Sequence, residues 1–312
     1  MARLSKAEMK AYHLCPAVTM YDFVDSRRAA YKEYENSLPE ELIPTARQTC
    51  VKLLQPIADH FGKSITIISG YRSSVLNRDL NGAQNSQHLR AQAVDFKVVG
   101  ISHRTVSKWI AESLEFDIML WEYEDYNHTN SSTPWIHLSY VQGANRKLDL
   151  TTEAGMRAYR LSPNFTLWEM VRSATATAHK IYNVPNEAGI EKLGLVCTHI
   201  LQPVRNHFGQ PVRVNSGYRS PALNAVVSGA SKTSQHMRCE ATDYEIMGLD
   251  NFELAQWVSK NLDYDQLILE FYGNDKSDPN DGWVHTSYKA ARNRKQDLTI
   301  NKYGTYAGLK PR

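Results

Sequence analysis

The chain contains the stretch SQHLRAQAVDFKV at residues 86–98 and a second version of it, SQHMRCEATDYEI, at residues 234–246. Both stretches share the pattern S-Q-H-x6-D, and a further histidine follows each of them in the segments WIHLSY and WVHTSY. Each of three residues therefore recurs 148 residues later in the chain: His88, Asp95 and His137, then His236, Asp243 and His285. This shared spacing predicts that the chain is built from two similar units.

The repeated residue types point to a metal site in each half of the chain. Histidine and aspartate are ligands that zinc accepts, and three protein ligands with one open position are typical of a catalytic zinc site. A structural zinc site usually has four protein ligands, often cysteines. No fourth ligand stands out near the repeated residues, and none of the four cysteines lies in a CxxC pair. The sequence therefore predicts one zinc ion in each half, together with free, buried cysteines.

Length and composition favour two globular domains. The 312 residues give each half about 150 residues, enough to bury its own core. The segment RLSPNF, around Leu161 to Phe165, predicts a boundary between domains of residues 1–160 and 161–312. The formal net charge of +3 is too small to indicate a nucleic-acid partner. No run approaches the ~18 apolar residues of a membrane helix, and no signal peptide is recognisable, so we expect neither membrane insertion nor signal-dependent export.

Each half is predicted to be an α+β domain, a mainly antiparallel sheet with flanking helices. An amphipathic helical pattern with an internal proline, Pro56 or Pro203, ends at a glycine that predicts a C-cap, Gly62 or Gly209. A β-prone segment and an SGYRS turn follow. Alternation in the next segment places the aspartate on a strand and the first histidine on the loop before it. Because strands and helices do not alternate regularly, we expect no βαβ architecture.

The motifs SGYRSxxLN, SQHxxxxAxD and WxHxSY resemble those of the zinc D-Ala-D-Ala carboxypeptidases and related peptidoglycan peptidases, in the branch common in bacteriophages. The resemblance extends from about Val18 to Thr151 and from Phe165 to about Thr299, and the second copy is the closer match. It implies a hedgehog-like α+β fold and hydrolysis of wall peptide bonds next to D-amino acids, of carboxypeptidase or endopeptidase type. It also implies one zinc ion per domain, held by His88, Asp95 and His137 and by His236, Asp243 and His285.

The same resemblance implies a catalytic arginine directly after the SGY turn, where this chain has Arg72 and Arg219. A fixed guanidinium can bind a substrate carboxylate or an oxyanion, although a surface arginine on a turn is the alternative. No acid or base stands where many relatives have one shortly before the last zinc ligand. Glu122 and Glu270, each 15 residues before that ligand, are predicted to be the proton-transferring base instead, with Asp281 in reserve. A structurally paired glutamate is the alternative reading of both.

One departure from the relatives' signature H-x-x-G-x-A-x-D favours a different function. Ala91 and Cys239 replace its glycine, and we expect an altered loop that impairs catalysis. The alternative is a structural virion protein, of tail or capsid, built on a duplicated peptidase fold with zinc retained for stability or wall binding. An enzyme would act on peptidoglycan peptides, with other virion proteins as further partners. It would be located in the host cytoplasm before release, or in the virion.

Overall fold

The computed structural model describes residues 4–123, 134–273, 278 and 280–311. The chain divides into two compact units. Among the described residues, unit 1 takes in those up to Met156 together with Asn186–Ala188, and unit 2 takes in Arg157–Pro185 and those from Gly189 onward. Each unit is an α+β domain with its own sheet, which confirms the predicted fold class.

The first half of the chain combines short helices with a sheet. Its α-helices are α1 (Lys6–Ala11), α2 (Met20–Val24), α3 (Arg27–Tyr31), α4 (Ile43–Thr49), α5 (Gln55–Phe61), α6 (Ser74–Asp79), α7 (His103–Ser113) and α8 (Glu153–Ala158). Its strands are β1 (His13–Cys15), β2 (Val18–Thr19), β3 (Ile65–Ser69), β4 (Ala93–Val98), β5 (Ile118–Glu122), β6 (Trp135–Ser139) and β7 (Leu148–Asp149). Two 3₁₀ turns, Glu40–Leu42 and Gln87–Arg90, lie between them.

The second half repeats most of this order of elements. Its helices are α9 (Leu167–Val171), α10 (Ala174–Ala178), α11 (Glu187–Val196), α12 (Gln202–Phe208), α13 (Pro221–Val226) and α14 (Asn251–Asn261). Its strands are β8 (Arg160–Ser162), β9 (Phe165–Thr166), β10 (Arg213–Ser216), β11 (Ala241–Glu245), β12 (Gln266–Glu270), β13 (Trp283–Ser287), β14 (Gln296–Asn301) and β15 (Gly304–Ala307). A 3₁₀ turn, Gln235–Arg238, precedes β11 as its counterpart precedes β4.

The two main sheets share one topology. The strand order is β3-β4-β6-β5-β7 in unit 1 and β10-β11-β13-β12-β14-β15 in unit 2. Neighbouring strands are antiparallel except for two parallel pairs, β5 with β7 and β12 with β14. The antiparallel majority agrees with the sequence-based expectation, whereas the parallel pairs were not predicted. They place residues 145–147 and 293–295 beside the residues that directly precede β5 and β12.

The strand register brings the aspartate and the last histidine of each half together. Asp95 on β4 is the direct partner of His137 on β6, and Asp243 on β11 is the direct partner of His285 on β13. Direct cross-strand partners in an antiparallel pair present their side chains on the same face. The register shifts in β3 just before Ser69, the residue that pairs with Asp95, so an irregular strand edge lies beside this face.

The two long helical patterns are interrupted at equivalent places. A π-helical segment, Cys50–Leu54 or Cys197–Leu201, ends directly before the turn that contains the internal proline. The interruption is therefore a local change in hydrogen bonding, which returns to α-helix at the proline. Both helices end at a glycine in the left-handed conformation, as predicted.

The cores are apolar and contain no disulfide among the described residues. The most deeply buried large side chains include Phe23, Phe96 and Phe165. All four cysteines are buried and free, as the sequence predicts. No helix in the described part of the chain is long and apolar enough to cross a membrane.

Candidate metal centres

Unit 1 brings its three predicted ligands to one point at the sheet. His88 lies on the 3₁₀ turn before β4, Asp95 on β4 and His137 on β6. The Nε2 atom of His88 is 3.3 Å from Nδ1 of His137 and 3.3 Å from Oδ1 of Asp95. Nδ1 of His137 is 2.8 Å from the same carboxylate oxygen. Two nitrogens and one oxygen thus form a compact triangle of possible ligand atoms.

Unit 2 repeats this triangle with almost the same dimensions. Nε2 of His236 is 3.2 Å from Nδ1 of His285 and 3.2 Å from Oδ1 of Asp243. The distance from Nδ1 of His285 to Oδ1 of Asp243 is 2.8 Å. The two halves therefore keep the donor set, and also which nitrogen of each histidine faces the centre.

Each triangle has dimensions that fit one zinc ion. Ligand atoms bound tetrahedrally at about 2.05 Å are about 3.3 Å apart, which is close to the observed separations. In each group all three ligand atoms lie within 4.8 Å of one another, and no fourth His, Cys, Asp or Glu of the described chain joins them. Neither Cys239 nor Asp281 belongs to these groups. Three ligands leave one coordination position for water or substrate.

Backbone carbonyls fix the tautomer of the first histidine in each centre. Nδ1 of His88 lies 2.6 Å from the carbonyl oxygen of Gly70, and Nδ1 of His236 lies 2.6 Å from that of Gly217. A carbonyl can only accept, so Nδ1 carries the hydrogen and the Nε2 lone pair points at the metal position. A Cβ on Gly70 would lie 2.3 Å from the carbonyl oxygen of Phe23, so only glycine fits in this turn.

The arginine after the SGY turn binds the ligand carboxylate. Nη2 of Arg72 donates to Oδ2 of Asp95 at 2.5 Å, and Nε donates to Oγ of Ser69 at 2.7 Å. The Arg72 side chain is 14% exposed. Unit 2 has the same contacts at 2.8 and 2.9 Å, from Arg219 to Asp243 and Ser216. Each arginine therefore orients the free oxygen of the metal-binding carboxylate.

The charges of these groups favour a bound cation. Burial works against the ionised form of Asp95, but His88 and Arg72 hold the pKa of its carboxyl group well below the usual value. In His137 burial opposes protonation, yet the hydrogen bond and charge of Asp95 raise the pKa to about 9. The cluster thus holds a positive charge at Nδ1 of His137, where a metal ion would replace the proton.

The predicted bases lie beside the centres. Glu122 ends β5 and pairs with Trp135, two residues before the last ligand of unit 1. Burial, followed by the negative charge of Asp95, raises the pKa of Glu122 to about 7. Glu270 has the matching position on β12, and burial and Asp243 raise its pKa as well. Both glutamates are therefore close enough to sense the ligand carboxylate, and both hold a proton more readily than a solvated glutamate.

Comparison with protein families identifies the fold. The model of the peptidase M15 family matches residues 27–130 and 163–276, more than half of the chain. The chain belongs to the peptidase M15 family. Each matched segment contains the first two ligands of one unit, and the last ligand follows its end. The M15 family consists of zinc-dependent metallopeptidases, in agreement with the predicted resemblance. No curated protein matches the chain.

The residues that replace the family's signature glycine have a left-handed backbone conformation. Ala91 has φ of 56° and Cys239 has φ of 59°, both in the left-handed region that favours glycine. Each residue caps the 3₁₀ turn that carries the first histidine, and its backbone N–H donates to the carbonyl of that histidine. The turn is therefore left-handed at this position in both units although a side chain is present. A left-handed residue with a Cβ costs about 1–2 kcal/mol, so the turn is kept at some cost in stability.

An ion pair between a buried aspartate and a half-exposed arginine holds the ligand turn in each M15 unit, and it was not predicted from the sequence. Asp117 accepts from Nε and Nη2 of Arg146, both at 2.7 Å, and from Nε2 of Gln87 at 2.9 Å. Gln87 directly precedes His88. Unit 2 has the same network, formed by Asp265, Arg294 and Gln235. Arg146 and Arg294, each in a repeated NRK sequence, are half-exposed and hold the metal-binding turn through a buried aspartate. Their 148-residue repeat was the available signal.

Proposed function

We propose that the chain hydrolyses peptide bonds next to D-amino acids in peptidoglycan stem peptides, as a D-Ala-D-Ala carboxypeptidase or endopeptidase with one zinc ion per unit. The observation that carries the proposal is the convergence of two histidines and an aspartate in each unit, with ligand atoms 2.8–3.3 Å apart. Membership of a metallopeptidase family supports it. The motifs that resemble wall peptidases supply the substrate class.

The residues around the metal position have separate roles in hydrolysis. When bound, zinc acts as a Lewis acid and makes water a nucleophile near neutral pH. Glu270 accepts a proton from the attacking group and passes it to the leaving amine, because its raised pKa suits both transfers. Arg219 orients Asp243, and the exposed part of its guanidinium binds the substrate carboxylate or the developing oxyanion.

Unit 2 is the better candidate for the working site. His285 is 6% exposed and Asp243 is 5% exposed, whereas His137 and Asp95 are each 1% exposed. A substrate must reach the open coordination position, so even this small opening favours unit 2. Glu122 and Arg72 occupy the matching positions in unit 1 and form the second, more deeply buried set.

The biological setting follows from the same resemblance. The chain is phage-encoded and acts on peptidoglycan peptides, either in lysis from the host cytoplasm or as a virion component in contact with other virion proteins. The alternative, a structural virion protein, requires only that the fold be retained. Complete ligand sets and buried glutamates next to them favour catalysis over that alternative.

Incubation of the zinc-loaded chain with purified peptidoglycan and with a synthetic stem pentapeptide tests the proposal. Mass spectrometry is expected to show release of the terminal D-Ala, or cleavage of cross-linked peptides. Chelation should abolish the reaction and added zinc should restore it. If the zinc-replete chain releases no product from any wall peptide, the peptidase proposal is rejected in favour of the structural alternative.

A further inference from the structure

We propose that Glu187 closes the metal centre of unit 1 to external ligands, while the equivalent centre of unit 2 stays open. For a wall peptide as the ligand this inference rests on the proposed function, but closure itself can be tested with a small metal-binding anion. Glu187 belongs to the short segment Asn186–Ala188 of unit 1. It lies about 100 residues after the ligand turn in the sequence and was not among the predicted site residues.

The carboxylate of Glu187 is bound directly beside the first metal ligand. Its Oε2 accepts from Oγ of Ser86 at 2.6 Å, and its Oε1 accepts from the backbone N of Gln87 at 3.2 Å. Both donors immediately precede His88. A carboxylate held through both oxygens by a hydroxyl and a backbone N–H is a firm attachment, because each hydrogen bond involves an ionised acceptor.

The same residue is also attached on the opposite side of the centre. The backbone N of Glu187 donates to Oε1 of Glu122 at 3.2 Å. The other oxygen of Glu122, Oε2, accepts from Nε1 of Trp135 at 3.3 Å. One residue thus links the turn that carries His88 to the end of β5. Both oxygens of the predicted base therefore accept hydrogen bonds from protein donors.

The corresponding groups of unit 2 lack this cover. Ser234 and Gln235 precede His236 as Ser86 and Gln87 precede His88, but no carboxylate of the described chain accepts from the hydroxyl of Ser234 or from the backbone N of Gln235. Nε1 of Trp283 is buried without a hydrogen-bond partner in the part of the chain that the structure describes. His236 is 3% exposed against 1% for His88, as expected where the covering residue is missing.

The chain offers a matched residue for comparison. Asn36 donates to the carbonyl oxygens of Val24 and Tyr71, and Asn183 makes the same pair of contacts with Val171 and Tyr218. These asparagines are therefore equivalent in the two halves. A glutamate follows each of them four residues later, Glu40 in the first half and Glu187 in the second. Glu40 is exposed, so its removal controls for the loss of a carboxylate at this position.

A ligand titration on unit 1 alone tests the closure. The full-length chain carries His236→Ala and His285→Ala, so that only unit 1 holds metal, and is loaded with Co²⁺. Acetohydroxamate is then titrated in, and its binding is followed by the visible absorption of the metal. Glu187→Ala is expected to tighten binding at least about tenfold, since a site open a tenth of the time binds about tenfold more weakly. Glu40→Ala is expected to leave binding unchanged.

Glu187→Gln provides a second variant that keeps the size of the side chain. It is expected to tighten binding by less than Glu187→Ala, because a neutral amide holds Ser86 and Gln87 less firmly than a carboxylate does. Unchanged acetohydroxamate binding in both variants would reject the closure, as would an equal effect of Glu40→Ala.

Wall-peptide hydrolysis by the zinc-loaded variants separates this inference from the proposed function. Tighter acetohydroxamate binding without hydrolysis by either unit would uphold the closure and reject the peptidase proposal. If unit 1 hydrolyses the wall peptide at equal rates in the Glu40→Ala chain and in the Glu187→Ala chain, the closure is rejected and the peptidase proposal stands.

Discussion

The metal centres of units 1 and 2 have the same ligands and the same supports but different surroundings. Both use an arginine to hold the aspartate, a glycine carbonyl to hold the first histidine, and a second, buried aspartate paired with an arginine to hold the turn. They differ in the contacts of the neighbouring glutamate. Glu122 is bound by Trp135 and the backbone of Glu187, whereas within the described residues Glu270 has no counterpart of these contacts.

This difference shows that ligand geometry and ligand access depend on separate parts of the fold. Strand register and the SGYRS turn fix the geometry, and both copies retain them. Access depends on one short segment that belongs to unit 1. We therefore expect two similar zinc sites and one working peptidase site, and the predictions below test that asymmetry from the largest effect to the smallest.

The largest effect is expected from removal of the proposed base. Glu270→Gln should retain zinc and fold but lose roughly 10²–10⁴ in the rate of wall-peptide hydrolysis, because the amide cannot transfer the proton. Glu122→Gln should leave the rate of the whole chain nearly unchanged, since unit 1 contributes little. Steady-state kinetics on a stem pentapeptide compare the two variants. Equal losses of rate in the two variants would refute the asymmetry. Full turnover by Glu270→Gln would make Asp281 the next candidate for the proton-transferring base.

Removal of Arg72 or Arg219 should weaken zinc binding to a similar extent in the unit that loses it. Arg219→Ala leaves Oδ2 of Asp243 without its charged partner and is expected to weaken zinc binding by unit 2 about 10- to 100-fold, as is usual when a residue that supports a ligand is lost. Arg72→Ala should do the same in unit 1. Competition with a chromogenic chelator measures both affinities. Arg213→Ala, which removes a largely exposed arginine, is the control and should change neither.

The raised pKa of Glu122 predicts a pH-dependent stability in the metal-free protein. A carboxyl group whose folded pKa is about 7 binds its proton more tightly folded than unfolded. Its contribution to the free energy of unfolding is therefore fully present below about pH 4.5 and is lost as the pH rises to 7. As the pH rises from 5 to 8, the free energy of unfolding of Glu122→Gln should thus increase by on the order of 2 kcal/mol relative to that of the parent chain.

Urea unfolding at these two pH values measures the gain. Glu270→Gln is the matched comparison and should show a smaller change, because the Glu270 side chain is less enclosed. An equal pH dependence in the two variants would argue against the different enclosure of the two glutamates.

The smallest effect concerns the replaced glycine. Ala91→Gly should relieve about 1–2 kcal/mol of left-handed strain and lose about 0.4–1 kcal/mol through the more flexible unfolded chain, for a net gain of about 0–1.6 kcal/mol. Gly62→Ala is the reverse change at φ of 58° with open space around it, and should destabilise the same unit. Thermal melts of the two variants measure the direction of each change in stability. A clear loss of stability in Ala91→Gly would mean that the Ala91 side chain is needed for packing.

Much of each centre was predictable because it is encoded locally. The repeat showed the ligands, alternation placed Asp95 on a strand, and the glycine after each long helix predicted its end. The parallel pairing of β12 with β14 was not predictable, since no local pattern records which distant segment lies beside a strand. Glu187 was missed for the same reason. Its sequence neighbours carry no motif, and only the fold places it next to Ser86.

The asymmetry of the two units is tested most directly by hydrolysis of a D-Ala-terminated wall peptide by two zinc-loaded variants of the full chain. His137→Ala removes a ligand from unit 1, and His285→Ala removes its counterpart from unit 2. We predict that His137→Ala keeps most of the parent rate and that His285→Ala loses nearly all of it. An equal loss in both variants, or full activity in His285→Ala, would contradict the account of one closed and one working metal centre.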